Sequence, residues 1–208
     1  MKHNIKFGKK YEMSPLMTTY VKSLKNPILL RYGISFITSE FVFGEKHKEI
    51  IKSLYMKCHS KLGSSPNSMH KYGASNVISN NEFEEIKKTL LPYIFEVFGI
   101  DPSKKCILHT HFSVHYGKYC DKKLDEHIDD SDITINICLK NTQTNTGLKF
   151  NQVPNTLFSS AKNSSVTINL EEGDIIIHLG NQPHQVLLQN YDNDNQRINL
   201  VLWLKFVS

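Results

Sequence analysis

The chain has 208 residues, 39% of them hydrophobic and 22% charged, the proportions of an ordinary globular protein able to bury one good-sized core. No run approaches the roughly 20 apolar residues that span a bilayer, and Met1 to Ser14 carries Lys and His but no apolar h-region, so an intracellular, cytosol-like location with no membrane partner is expected. Net charge is +5, from 25 Lys plus Arg against 20 Asp plus Glu, and is not gathered into one stripe; an anionic substrate is permitted, and the clustered basic face of a nucleic-acid protein is not seen.

In chain order, the first two elements are amphipathic helices. Residues 46–59 place Ile50, Ile51, Leu54 and Cys58 on one stripe, and residues 82–98 do the same with Phe83, Ile86, Leu90, Ile94 and Val97. Asn81 followed by Glu84 resembles a capping box, Gly99 suits the carboxyl end, and Pro92 should kink or split the second helix. Between them, residues 60–81 are rich in Ser, Asn and Gly and read as a long loop of the kind that often covers a functional site, so a lid is expected there. From Cys106 the period changes to two. Residues 107–116 alternate Leu108, Thr110, Phe112, Val114 and Tyr116 with His109, His111, Ser113 and His115, and those three histidines read as an exposed strand face. Residues 132–139 alternate Ile133, Ile135, Ile137 and Leu139 with Thr134, Asn136 and Cys138. Further strands are expected at 166–170, 174–179 and 184–189, and a last one at 197–206. The expectation is an α+β domain spanning 1–208, with 1–105 as helical support and lid and 106–208 as a two-sheet β core.

The four cysteines (Cys58, Cys106, Cys120 and Cys138) include no CxxC pair, so free thiols are expected rather than a zinc knuckle. Asn163-Ser164-Ser165 fits a glycosylation sequon that, without a leader, is read as accidental.

One constellation carries chemistry. His127-Ile128-Asp129 precedes the strand at 132–139, and in extended chain residues i and i+2 point the same way, so an imidazole and a carboxylate converge. His184, which opens a strand 55 residues after Asp129, is the candidate third ligand. Two His and one carboxylate occupy one face of an octahedral iron and leave three positions open; zinc enzymes are the competing use of such a set. Arg197 begins an otherwise apolar strand 13 residues past His184, and a guanidinium can grip a carboxylate with two parallel hydrogen bonds. Asn199 shares its face and could support the same carboxylate. Other readings stay open: a turn histidine bonded to a carboxylate at His127, Asp130 or Asp132 in place of Asp129, and His178 in place of His184.

The stretch from Val114 to Trp203 resembles the 2-oxoglutarate/Fe(II) dioxygenase superfamily, in particular its prolyl 4-hydroxylase and lysyl hydroxylase-like branch. The matching pieces are "HYGKYCDKKLDEHIDDSDITINICL", "GLKF", "GDIIIHLGNQPHQV" and "RINLVLWLKF", in the family's order. The resemblance implies a double-stranded β-helix (jelly-roll) core, iron held by His127, Asp129 and His184, and 2-oxoglutarate gripped by Arg197 with Tyr116 and Asn136 lining its pocket. It further implies hydroxylation of a prolyl or lysyl residue of a protein or peptide, with release of succinate and CO2 and with ascorbate as an optional further cofactor. A small molecule or a modified nucleic acid is the alternative substrate. A β-helix module that binds metal or a partner without turnover is the alternative function. Thr146 stands where the family often has a second glycine before the Gly-Leu-x-Phe hairpin, and Asn190 to Gln196 forms a polar stretch before Arg197; both leave the substrate side open.

Overall fold

The computed structural model describes residues 33–60, 65–142, 147–151, 165–187 and 195–208; Met1 to Ser14, the sequon at Asn163, Thr146 and residues 190–194 of the polar stretch lie outside them. The strongest period-two pattern builds the centre. β3 (Lys105–Gly117), β5 (Ile133–Asn141) and β10 (Gln196–Val207) run antiparallel, with β10 in the middle. Beyond β5 lie β8 (Asp174–Leu179) and then β1 (Ile34–Thr38), and β2 (Gly73–Ser75) extends the far side of β3, giving the order β1-β8-β5-β10-β3-β2. A second antiparallel sheet has the order β4-β9-β6-β7, from Leu124–His127, His184–Val186, Gly147–Asn151 and Ser165–Asn169.

Alternation assigns each side chain to a face. On one face of the six-stranded sheet, Ile133, Ile135, Ile137, Ile175, Ile177, Ile198, Leu200 and Leu202 form one cluster with Val42 of the short α1 (Ser39–Phe43), Ile51 and Leu54 of α2 (His47–His59) and Phe83, Ile86, Leu90 and Ile94 of α3 (Asn80–Phe98). On the other face, Phe112, Val114, Ile176 and Val201 share a second cluster with Leu148, Phe150, Ile168 and Val186 of the four-stranded sheet. The chain is thus layered as helices, large sheet, small sheet. Each fully buried Leu or Ile contributes roughly 1.5–3 kcal/mol. Cys58, Cys106 and Cys138 are buried as free thiols.

Several local expectations are corrected. The capping box of α3 is built by Ser79 and Glu82, not Asn81 and Glu84: Glu82 N–H donates to Ser79 Oγ at 3.3 Å and Ser79 N–H to Glu82 Oε2 at 2.8 Å. Pro92 does not split the helix, which runs through it as one element, with Leu90, Tyr93 and Ile94 buried on either side of it. The segment 60–81 is not loop throughout, because Gly73–Ser75 pairs with β3 as β2. β9 ends at Val186, and residues 188–189 of the expected strand lie outside the described residues. The histidine face of β3 is not open: only His109 is exposed, while His115 is 2% exposed and its N–H donates to Tyr72 O at 3.1 Å. Its ring nitrogen Nε2 lies 3.2 Å from Ser113 Oγ, and burial first, with His59 next, lowers its pKa to about 4.

Candidate metal centre

His127 closes β4 and His184 opens β9, and the two are direct partners across that antiparallel pair. Cross-strand partners bring their side chains together, and here the imidazole centroids are 4.2 Å apart. Asp129 follows two residues after His127, past the exposed Ile128, and turns inward to 7% exposure. Its N–H donates to Gly180 O at 2.8 Å. Gly180 is required there: a Cβ would stand 1.8 Å from Ser131 O, so only glycine lets the β8–β9 turn pack against the segment that carries the carboxylate.

The result is a compact donor set. One ligand atom from each of His127, Asp129 and His184 lies within 4.8 Å of the other two, with His127 Nε2 at 3.6 Å from Asp129 Oδ1 and His184 Nε2 at 3.8 Å from Asp129 Oδ2. Backbone carbonyls fix the tautomers. His127 Nδ1 meets Asp125 O at 2.8 Å and His184 Nδ1 meets Gln182 O at 2.9 Å. A carbonyl only accepts, so each Nδ1 carries the proton and each Nε2 presents its lone pair. Burial, then the neighbouring His178 and His127, holds the His184 pKa well below its ordinary value and so favours the neutral, ligating form. The Thr134 hydroxyl donates to Asp129 Oδ2 at 2.6 Å and lies 2.8 Å from Ser131 Oγ, orienting the carboxylate from behind. Two neutral imidazoles and a carboxylate suit a divalent first-row metal with open positions.

The alternative ligands separate from this set. Asp130 points outward to Lys205 Nζ at 2.7 Å, and Asp132 accepts from Phe206 N–H at 2.7 Å. His178 is fully buried on the inner face of β8, with Nδ1 donating to Leu179 O at 2.8 Å and Nε2 at 3.8 Å from Asp129 Oδ2. It stands behind the carboxylate, 4.7 Å from the His184 ring, and is not one of the three mutually close donors.

The remaining predicted residues line up along the inner face. Arg197 is 1% exposed and its guanidinium sits 4.8 Å over the Tyr116 ring, the two residues being register partners of β10 and β3. A cavity of about 30 Å³ is walled by the triad together with Tyr116, Asn136 and Arg197. Asn199 does not line it; its amide donates to Asn136 Oδ1 and braces that wall from the next strand. Thr134 and His70 are the residues that sequence reasoning missed. Thr134 carried a signal, since it shares a strand face with Asn136, whereas His70 comes from the segment before β2 and had none.

No family model matches this chain. It is 27% identical over 151 residues to a 2-oxoglutarate and iron-dependent oxygenase domain-containing protein, CP2, of Arabidopsis thaliana, a match over 67% of this chain and 36% of that protein; the chain therefore spans about a third of its curated relative. Its fold is similar to that of an oxidoreductase of the 2OG-Fe(II) oxygenase family from Burkholderia pseudomallei, with TM-score 0.61 at 14% identity over 93% of this chain and 92% of the other. It is also similar to that of a Pseudomonas putida prolyl-4-hydroxylase, with TM-score 0.57 at 13% identity over 85% and 94%.

Proposed function

We propose that this chain is a 2-oxoglutarate- and Fe(II)-dependent oxygenase whose two-sheet core is a double-stranded β-helix. The observation that carries this reading is the convergence of His127, Asp129 and His184 on one point with a buried arginine, Arg197, on the same inner face. The likeness to oxygenases of this kind in sequence and in fold supports it. The donor chemistry fits iron, since each imidazole presents Nε2 and the carboxylate is braced by Thr134. Iron held there with a 2-oxo acid would activate O2, one oxygen atom going into succinate as CO2 leaves and the other into the substrate.

The chain's own residues bind, orient and exclude water. The triad holds the metal by one face and leaves the other to ligands. Arg197 takes the far carboxylate of the co-substrate, and Tyr116 and Asn136 line its path. Phe112, Leu148, Val186 and Val201 keep the cavity apolar between these polar points, which strengthens each charge-assisted contact. A zinc hydrolase would have no use for Arg197 at this place.

Hydroxylation of a prolyl or lysyl residue of a protein is the substrate reading we favour, supported by the sequence resemblance and by the fold likeness to a prolyl-4-hydroxylase. The test of the site is anaerobic. Titrating 2-oxoglutarate into Fe(II)-loaded protein is expected to produce the visible charge-transfer band of a chelated 2-oxo acid. His184→Ala is expected to abolish it, and Arg197→Ala to require about tenfold or more co-substrate. A folded, iron-loaded protein with no band would replace this reading with a non-catalytic binding module.

A further inference from the structure

We propose that His70 is a further binding residue of this site, an imidazole brought to the cavity by the segment before β2 to contact the dicarboxylic co-substrate alongside Arg197. This inference rests on the oxygenase reading above. His70 belongs to neither sheet, yet it is 4% exposed and its ring lines the same cavity as His127, Asn136 and Arg197. It packs 6.1 Å from the Phe112 ring and edge-on, also at 6.1 Å, to the Tyr116 ring over which the Arg197 guanidinium sits. The ring thus stands beside the space between the arginine and the metal ligands.

The placement is built by the backbone. Met69 and His70 N–H both donate to Asn67 Oδ1 at 3.0 Å, and Ser65 Oγ donates to His70 O at 2.6 Å. Lys71 and Tyr72 N–H donate to Asp121 Oδ2 at 3.0 and 3.3 Å, and Asp121 is bridged to Tyr116 itself. Gly73 then lies so close to β3 that a Cβ would stand 2.0 Å from Ser113 O. A segment fixed at this many points delivers one side chain to one place, and that side chain is an imidazole packed against the Phe112 and Tyr116 rings. Its Nδ1 is sealed from solvent with no hydrogen-bond partner among the described residues, 3.8 Å from Asp121 Oδ2. A buried polar atom left unsatisfied costs about 1–3 kcal/mol, a cost that a packing role alone would remove by using Phe or Leu.

Its electrostatics favour the uncharged state: burial first, with the neighbouring His127 and then Arg197 adding to it, lowers the pKa to about 4. A neutral imidazole offers one N–H donor and one acceptor, so it can bond a carboxylate oxygen without competing with Arg197 for the charge. The cavity of about 30 Å³ has room for roughly one water, far less than a five-carbon dicarboxylic acid needs. Met69, His70 and the metal-ligand candidate Asp129 form the part of its wall that lies outside the two sheets, so seating the acid involves the segment before β2.

Calorimetric titration of 2-oxoglutarate into the Mn(II)-loaded protein reads binding without turnover. His70→Phe is expected to raise the co-substrate dissociation constant about tenfold while leaving Mn(II) affinity within error and without lowering the thermal midpoint. His70→Gln, which keeps a donor, is expected to recover most of the loss. If both variants bind 2-oxoglutarate within twofold of the native protein, His70 only packs and the inference is overturned. If the native protein binds Mn(II) but not 2-oxoglutarate, the oxygenase reading itself fails, and His70 with it, a result distinct from the first because no variant is needed to see it.

Discussion

Asp129 carries more of the site's geometry than either histidine, because its carboxylate is the only one in the donor set and is 7% exposed. A buried carboxylate has to be oriented by hydrogen bonds, and here Thr134 supplies the short one. Thr134→Val keeps the shape and removes the donor, so metal affinity is expected to fall 10–100-fold with little change in folded stability; an anaerobic Fe(II) or Mn(II) titration measures it. An unchanged affinity would mean that the hydroxyl serves packing alone. At this scale the triad was legible in the sequence because period two puts His127 and Asp129 on one side and because His184 opens a strand. The residues alone did not choose between His184 and His178, and the family resemblance favoured His184; both lie on inner faces and both approach Asp129 to 3.8 Å. In the structure the pairing of β4 with β9 sets His184 beside His127. His70 was illegible for a related reason: it is positioned by hydrogen bonds to Asn67 and Asp121 that leave no periodic trace.

Among the elements, α3 shows what its amino end contributes. Ser79 and Glu82 satisfy each other's backbone groups, and Glu82 also accepts from Lys57 of α2, tying the two helices together. The Lys57 and Ser79 contacts lower the Glu82 pKa against a burial effect that raises it. Ser79→Ala is expected to cost about 1 kcal/mol of stability, read as a lower urea midpoint with an unchanged slope, and to leave metal affinity intact, because the helix packs on the face of the large sheet that points away from the triad. Loss of metal affinity would show that the helical layer sets the site's geometry. Both helices and the long strands could be read from periodicity. β1, β2 and β4 could not: ISFIT, GAS and LDEH carry no regular alternation of apolar with polar residues, and pairing with their neighbours defines them. The capping box was displaced by two residues because Ser79 and Asn81 both suit a cap and only the chain's entry angle decides between them.

For the whole molecule, the layered arrangement buries imidazoles whose protonation opposes folding. His70 and His115 are each held to about 4, in both cases by burial before any neighbouring charge, and burial also lowers His178 and His184. In the unfolded chain these groups take up protons near pH 6.5. Between that value and about 4 the unfolded state therefore binds more protons than the folded one, so stability falls as pH falls through this window. The carboxylates whose pKa is lowered in the fold, Glu82, Asp101 and Asp130, lose their contribution only at more acid pH, which leaves the range from 6.5 to about 4.5 to the histidines. Metal-free protein is expected to show a clearly lower urea midpoint at pH 5.5 than at pH 7.5. His115→Gln should narrow that gap, because it removes one such imidazole far from the triad. Mn(II) at pH 7.5 should raise the midpoint, since a ligand of the folded state alone stabilises it by mass action. Equal midpoints at the two pH values would mean that these imidazoles are solvated in solution, and the close layering of the two sheets around the site would have to be given up with them.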